Sequence, residues 1–248
     1  MSKLILHKTI LQMRYNAKLN FFDLFMPAAM QFDEYKNWET DRISIKLRDF
    51  EKHCSLLIRH RDFAYAQDSS DVEMEKERLG RTLKILPQAL EIEHFIRFGY
   101  RRRYLSNLDI TFESLIPILY VKLYSQNKTL RTVLPEKIDD LYYRLDFTED
   151  LYQYHVTIGP VRREEIPKHI GYNIENHLEP KIRDKEYQKI IEGYPDVAVF
   201  TDIDFFRVGK KLKIEEAGTF VELARQKVHE LANNLDNYIF KTEIEDKK

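Results

Sequence analysis

Residues 93–109 read Glu-His-Phe-Ile-Arg-Phe-Gly-Tyr-Arg-Arg-Arg-Tyr-Leu-Ser-Asn-Leu-Asp, and they lie near the middle of the 248-residue chain. Apolar and aromatic side chains recur here at every second position, as in Ile96, Phe98 and Tyr100, which is the period of a β-strand. The stretch also carries four arginines: Arg97, Arg101, Arg102 and Arg103. It predicts a basic central strand between two halves with similar sequence patterns.

Outside this stretch, two further regions show strand periodicity. Residues 42–50 alternate apolar and polar side chains, and residues 54–67 predict the strand that returns beside them. Residues 139–147 repeat the pattern of residues 42–50, including a closing Asp-Phe, and residues 151–160 predict their return. Two β-hairpins are therefore expected, and their shared pattern indicates either a duplicated layout or a chance repeat of an ordinary strand alternation.

Two stretches space their apolar residues at helical intervals. They are residues 72–86, preceded by a Ser-x-x-Glu capping box at Ser70, and residues 220–238, preceded by a second such box at Thr219. The predicted fold class is α+β: antiparallel β-hairpins or a sheet covered by amphipathic helices. The domain prediction is an N-terminal lobe over residues 1–128 and a C-terminal lobe over residues 129–248, with one continuous domain as the alternative.

Composition restricts the classes of partner. The chain has 40 Lys and Arg against 41 Asp and Glu, so any binding to nucleic acid requires a local basic patch. The single cysteine, Cys54, excludes an intrachain disulfide and a thiolate metal cluster. No run of 18 apolar residues predicts a transmembrane helix, and no signal peptide is evident, so a cytoplasmic protein without membrane partners is expected. No cofactor-binding motif is present, and the oligomeric state is not predicted.

Three motifs together resemble a sporadically distributed family of uncharacterised prokaryotic proteins of about this length. The first is Arg97–Leu108, followed by Phe112–Leu115; the second is Thr201–Asp204; the third is Val228–Leu231, followed by Asn237–Phe240. The resemblance covers most of the chain. It implies no established activity, and it suggests an association with phage-defence or mobile-element regions.

The arginines of the central stretch are the first candidate site. Arg97, Arg101 and Arg103 have the same strand parity and are expected to project from one face, with Tyr104 nearby. Guanidinium groups match phosphate oxygens, and tyrosine rings stack on bases, so this set predicts a site for a phosphate-bearing ligand. The alternative is an ion-pair network with acidic residues of neighbouring strands and of the preceding helix.

A second candidate is the Asp-x-Asp motif formed by Asp202 and Asp204 at the end of an apolar strand. Both carboxylates are expected on one face, about 6–7 Å apart along the strand. Such a pair can hold a divalent metal ion beside a phosphate when a third carboxylate joins it, and Asp146 is the candidate for that role. Alternatively, both aspartates pair with the arginines.

A third candidate is a pair of His-x-Thr motifs, His7 with Thr9 and His155 with Thr157. Their pattern is similar to that of two-histidine phosphoesterases, in which one histidine acts as base and the other as acid. Lys8 stands where an apolar residue is expected, and the alternative is two unrelated strand ends.

Two function classes follow from these candidates. The favoured one is a non-catalytic binding or accessory protein that recognises a phosphate-bearing ligand or a protein partner through the basic strand. The alternative is an enzyme, either metal-dependent in phosphoryl or nucleotidyl transfer, or a two-histidine phosphoesterase. The binding class is favoured because no candidate supplies a complete catalytic set.

Overall fold

The computed structural model describes residues 3–124, 138–171 and 183–240, with the backbone alone for residues 183–186. The strands are β1 (Lys3–Arg14), β2 (Asn37–Thr40), β3 (Ser44–Asp49), β4 (Cys54–Arg59), β5 (Asp62–Gln67), β6 (Phe95–Asn107), β7 (Tyr143–Glu149), β8 (Tyr152–Arg162) and β9 (Val197–Leu212). The helices are α1 (Phe21–Ala29), α2 (Val72–Ala89), α3 (Phe112–Tyr124), α4 (Ile166–Ile170), α5 (Arg183–Glu192) and α6 (Glu216–Phe240).

All nine strands belong to one antiparallel sheet, in the order β2-β3-β4-β5-β1-β6-β9-β8-β7. The α+β class, with helices packed on a sheet, is confirmed. The central stretch of the sequence forms β6, which pairs with β1 on one side and with β9 on the other. Each of these two pairings has one register shift, between Leu6 and Lys8 on β1 and between Phe95 and Arg97 on β6.

The hairpin predictions are confirmed in part. β7 and β8 form the expected second hairpin. In the first half, residues 54–67 form two strands, β4 and β5, which are separated by a turn at His60 and Arg61, so the prediction of one returning strand is wrong there. The order of elements is similar in the two halves, because both β1 and β6 are followed by a helix, a set of antiparallel strands and a longer helix. The second half differs in that α4 and α5 stand between β8 and β9.

Four helices, α1, α2, α3 and α6, pack on one face of the sheet and form the main core. Aromatic side chains fill much of this core. Where β6, β9 and α6 meet, the ring centre of Phe220 lies 5.3 Å from that of Phe98 and 5.5 Å from that of Phe205. The cap of α2 is Asp71, whose carboxylate accepts a hydrogen bond of 2.9 Å from the backbone N–H of Met74. The predicted cap, Ser70, is one residue too early.

The opposite face of the sheet carries none of these four helices, and we call it the open face. One end of it is covered by α4, whose Ile166 and Ile170 pack on Leu105, Val161 and Phe200. Gly171 ends α4 in the left-handed conformation (φ 64°) that favours glycine. Within residues 3–124, 138–171 and 183–240, no helix is both long and apolar enough to cross a bilayer.

Candidate functional site

The open face presents the arginines that the sequence singled out. Strand parity and the register of β6 place Arg97, Arg101 and Arg103 on this face, as predicted. On β9, Asp202 lies directly opposite Arg103, and Asp204 lies directly opposite Arg101. The two predicted sites therefore form one arginine–aspartate cluster of five residues.

Asp202 accepts two hydrogen bonds from Arg101 and forms an ion pair with Arg103. The Arg101 guanidinium binds both carboxylate oxygens of Asp202, with Nε donating to Oδ1 at 2.6 Å and Nη2 donating to Oδ2. The Nε atom of Arg103 lies 3.4 Å from Oδ2 of the same carboxylate. Hydrogen bonding to Asp202 raises the pKa of Arg101, whereas burial lowers the pKa of Arg103. The Arg101 side chain remains 38% exposed, and the Asp202 side chain is 9% exposed.

Arg97 lies along the strand and connects β1 to β9. Its Nη1 atom donates to Oε1 of Gln12 at 3.0 Å, and its Nη2 atom donates to Oδ2 of Asp204 at 3.0 Å. The guanidinium carbon sits 4.7 Å from the ring centre of Phe206, a cation–π distance. It passes directly over Gly99, because a Cβ atom at Gly99 would lie 2.4 Å from Nη1 of Arg97. The absence of a side chain at Gly99 therefore leaves the space that the Arg97 side chain occupies.

Positive charge exceeds negative charge at the centre of the open face. Over residues 8–14, 97–103 and 202–208 this face carries five cationic side chains and two carboxylates. With Arg59, Asp62 and Asp68, which adjoin this patch, the count becomes six cationic side chains and four carboxylates. Arg14, opposite Arg97 in the register, is exposed, and its Nε atom donates to Gln12 Oε1 at 3.2 Å. Lys8, opposite Arg103, is paired with Asp68 at 2.8 Å and donates to the carbonyl oxygen of Gly171 at 2.5 Å.

Arg102 and Tyr104 lie on the other face, towards the helices. Both are buried, Arg102 at 3% and Tyr104 at 2% exposure. Tyr104 therefore does not share a surface with Arg101 and Arg103, because adjacent strand residues point to opposite faces. A ligand on the open face does not reach its ring.

The partner of Arg102 is Glu75 of α2, which is 1% exposed and was not singled out from the sequence. Its carboxylate accepts hydrogen bonds from Tyr100 at 2.7 Å, Arg102 at 2.8 Å, Thr9 at 3.1 Å and Arg225 at 3.1 Å. Burial raises the pKa of Tyr100 well above its ordinary value, so its hydroxyl stays a donor. We call these five residues the Glu75 cluster. A glutamate on the apolar side of a helix is the sequence signal for it.

The two His-x-Thr motifs do not converge. Thr9 points to the helices and bonds Glu75, while His7 packs against Tyr194 with ring centres 5.9 Å apart. Burial lowers the pKa of His7 to about 4, against a smaller raising effect of Asp68. His155 lies on β8, three strand spacings from β1. Three spacings separate the two strands by about 14 Å, so His7 and His155 do not share a cleft.

His155 has a partner of its own on the edge of the sheet. Its Nδ1 atom lies 2.6 Å from Oδ1 of Asp146 on β7, and Arg144 also bonds that carboxylate, at 3.2 Å. These hydrogen bonds, first from Arg144 and then from His155, lower the pKa of Asp146. Thr157 lies on the same face, opposite Asp202 on β9.

The carboxylates predicted to hold a metal ion are engaged by arginines. Asp202 and Asp204 share the open face, as expected, and Asp146 is two strands away on β7. In the described part of the chain, no group of three His, Cys, Asp or Glu side chains has the arrangement of a metal site. The arginine–aspartate pairing considered as the alternative is the arrangement observed.

Comparisons with known proteins add little. No protein-family model matches the chain, and no curated protein matches it. A solved structure titled Methanococcus jannaschii TBP matches with a TM-score of 0.31 and 15% sequence identity, over 97% of this chain and 99% of that one. At this score the likeness carries no argument about function. The family resemblance based on the three motifs stays a prediction.

Proposed function

We propose that the protein is a non-catalytic binding protein whose open face takes a phosphate-bearing ligand at the arginine–aspartate cluster. The observation that carries the proposal is the excess of cationic side chains on a sheet face that the four core helices leave uncovered. Arg101 is the centre of the proposed site because it is the most exposed arginine of the cluster, at 38%.

Arg101 and Arg14 have donors to offer. Arg101 uses Nε and Nη2 on Asp202, and within the described residues its Nη1 group has no hydrogen-bonding partner. Arg14 uses Nε on Gln12 and is exposed. A phosphate group placed at Arg101 receives charge-assisted hydrogen bonds, about twice as strong as neutral ones. Arg14 lies opposite Arg97, about 13 Å along the strands from Arg101, so it reaches a second phosphate group of an extended ligand. The aspartates fix the arginines in position and also compete with the ligand for them.

This competition gives a test with effects of opposite sign. We expect Arg101→Ala to weaken binding of pyrophosphate, measured by isothermal titration calorimetry, by about tenfold, which corresponds to one charged hydrogen bond. We expect Asp202→Asn to strengthen it, because the amide removes the competing charge. The matched control is Arg81→Ala on α2, where the arginine is 40% exposed and also paired with an aspartate, Asp33.

The proposal is wrong if wild-type protein binds no phosphate-bearing probe, or if Arg81→Ala weakens binding as much as Arg101→Ala. A labelled single-stranded oligonucleotide, titrated at several salt concentrations, separates nucleic acid from a small ligand. A nucleic-acid backbone that contacts several cations gives a steep salt dependence, and a single nucleotide gives a shallow one.

A second candidate, recognition of a protein partner, is favoured by the mixed signs of the same face. Arg59 with Asp62 on β4 and β5, and Arg144 with Asp146 on β7, continue the alternation of charges towards both edges of the sheet. Such an alternating pattern suits a complementary protein surface. This candidate would be supported if the wild-type protein and Asp202→Asn both bound the same protein partner while neither bound pyrophosphate.

A further inference from the structure

One edge of the described sheet is formed by β7, a strand of seven residues. Of the strands that the structure describes, β7 is last in order, with β8 as its single neighbour. A terminal strand presents backbone N–H and C=O groups to solvent and can accept another strand. Leu145 and Phe147, on the side facing the helices, are 37% and 39% exposed. Arg144 and Asp146, on the open face, are 67% and 50% exposed.

We propose that the partner of this edge is a second copy of the chain, paired antiparallel, β7 to β7, about a twofold axis through Leu145. In this register each position i lies opposite position 290−i of the second copy, a relation that follows from the antiparallel ladder. Arg144 then faces Asp146 of the second copy, and Asp146 faces Arg144, so that the open face gains two cross-strand ion pairs. On the other face, Leu145 meets Leu145, and Tyr143 meets Phe147.

Charge complementarity selects this register from its neighbours. Opposite residues must belong to the same face of the sheet, so a symmetric pairing can move only in steps of two residues. A shift in one direction places Asp146 opposite Asp146, and a shift in the other places Arg144 opposite Arg144. Like charges directly opposite each other destabilise a sheet. Of these registers, the one centred on Leu145 pairs opposite charges on the open face and apolar side chains on the other face.

The pairing has a structural consequence that is independent of any ligand. Two nine-stranded sheets become one continuous sheet, and the open faces of the two copies lie on the same side of it. The inference therefore does not depend on the proposed phosphate binding. It can hold while pyrophosphate binding fails, and it can fail while pyrophosphate binding holds.

Charge exchange tests the register directly. We expect wild-type protein to show twice the 29.9 kDa mass of one chain at high concentration in sedimentation or light-scattering measurements. Arg144→Glu alone and Asp146→Arg alone each place like charges opposite each other, and each should raise the dissociation constant at least tenfold. An equimolar mixture of the two variants restores both ion pairs between unlike chains, so the mixture should form dimers again.

The control exchanges an exposed ion pair elsewhere, Glu73→Lys with Lys76→Glu on α2, and should dimerise as wild type does. Three outcomes overturn the proposal: a monomer at every concentration, a dimer unaffected by Arg144→Glu, and a mixture that stays monomeric.

A second variant keeps the proposal testable if a charge variant fails to fold. Opposite residues in an antiparallel pair have Cα atoms about 4.5–5.5 Å apart, within the range of a disulfide. Leu145→Cys should therefore form an intermolecular disulfide with itself under a mild oxidant. Leu151→Cys, in the turn after β7 and 65% exposed, is the control and should cross-link far more slowly. The native Cys54 is buried and does not compete. Equal rates for the two variants would refute the register.

Discussion

Replacing Glu75 by Gln tests whether the Glu75 cluster holds the two layers of the protein together. The carboxylate is 1% exposed and joins α2 to β1, β6 and α6 through four hydrogen bonds. Glutamine has nearly the same shape but carries no charge. Its amide group points a donor at Arg102 or at Arg225, whose guanidinium groups have no acceptor.

The expected loss of folding free energy follows from which arginine loses its counter-charge. Arg225 retains Glu222, whose Oε2 accepts a hydrogen bond of 2.7 Å from Nη1. The Arg102 side chain is 4% exposed and forms its ion pair with Glu75. Leaving one buried charge without its partner costs about 3–5 kcal/mol. This loss takes a large share of the 5–15 kcal/mol that typically stabilises a domain.

Urea unfolding of Glu75→Gln, followed by circular dichroism, measures the loss. The control is Glu73→Gln on the same helix, where the side chain is 84% exposed and the expected loss is below about 1 kcal/mol. Adding Arg102→Met to Glu75→Gln removes the unpaired charge and should recover part of the loss. A loss below about 1 kcal/mol for Glu75→Gln, or strict additivity in the double variant, would refute the reasoning.

Two further predictions concern pH and glycine. His7 has a folded-state pKa of about 4, below its ordinary value of 6.5, so the unfolded chain binds its proton first. Stability should therefore fall as pH drops from 6.5 to 4, by up to about 3 kcal/mol from this residue, and His7→Gln should remove that part of the slope in urea titrations. Gly80→Ala in α2 should stabilise by roughly 0.5–1 kcal/mol, because the added methyl meets nothing within 4 Å. Gly99→Ala should give no such gain, and a crystal structure should show Arg97 displaced from Asp204; an undisplaced Arg97 would contradict its assigned path.

The sequence could predict which side chains of the site share a face, because strand parity determines this. A period of two decides which side chains share a face, so Arg97, Arg101 and Arg103 were correctly grouped, as were Asp202 and Asp204. The same rule places Tyr104 and Arg103 on opposite faces, so Tyr104 does not belong to the site on the open face. The pairing of arginines with aspartates was foreseen as an alternative, because their abundance on strands of one sheet makes contact common.

Contacts between distant segments were beyond the reach of local patterns. Glu75 meets Arg102 and Arg225 only after α2 and α6 dock on the sheet, and no spacing in the sequence encodes that docking. The turn at His60 and Arg61 contains no glycine, proline or asparagine, so β4 and β5 read as one strand. β2 has only four residues and one large apolar side chain, Trp38, which is too little for a periodic signal.

The strand order has a consequence for how fast the chain folds. The arms of the sheet, β3-β4-β5 and β7-β8, join strands that are close in sequence, whereas the centre pairs Leu11 with Tyr100 and Arg101 with Asp204. Closing loops of about 90 to 100 residues costs conformational entropy before the strand contacts form, and such topologies fold slowly. The arms can thus form early and the arginine-bearing centre late. A refolding chain would then expose the unpaired edges of β1 and β6 longest, and aggregation during refolding should begin there.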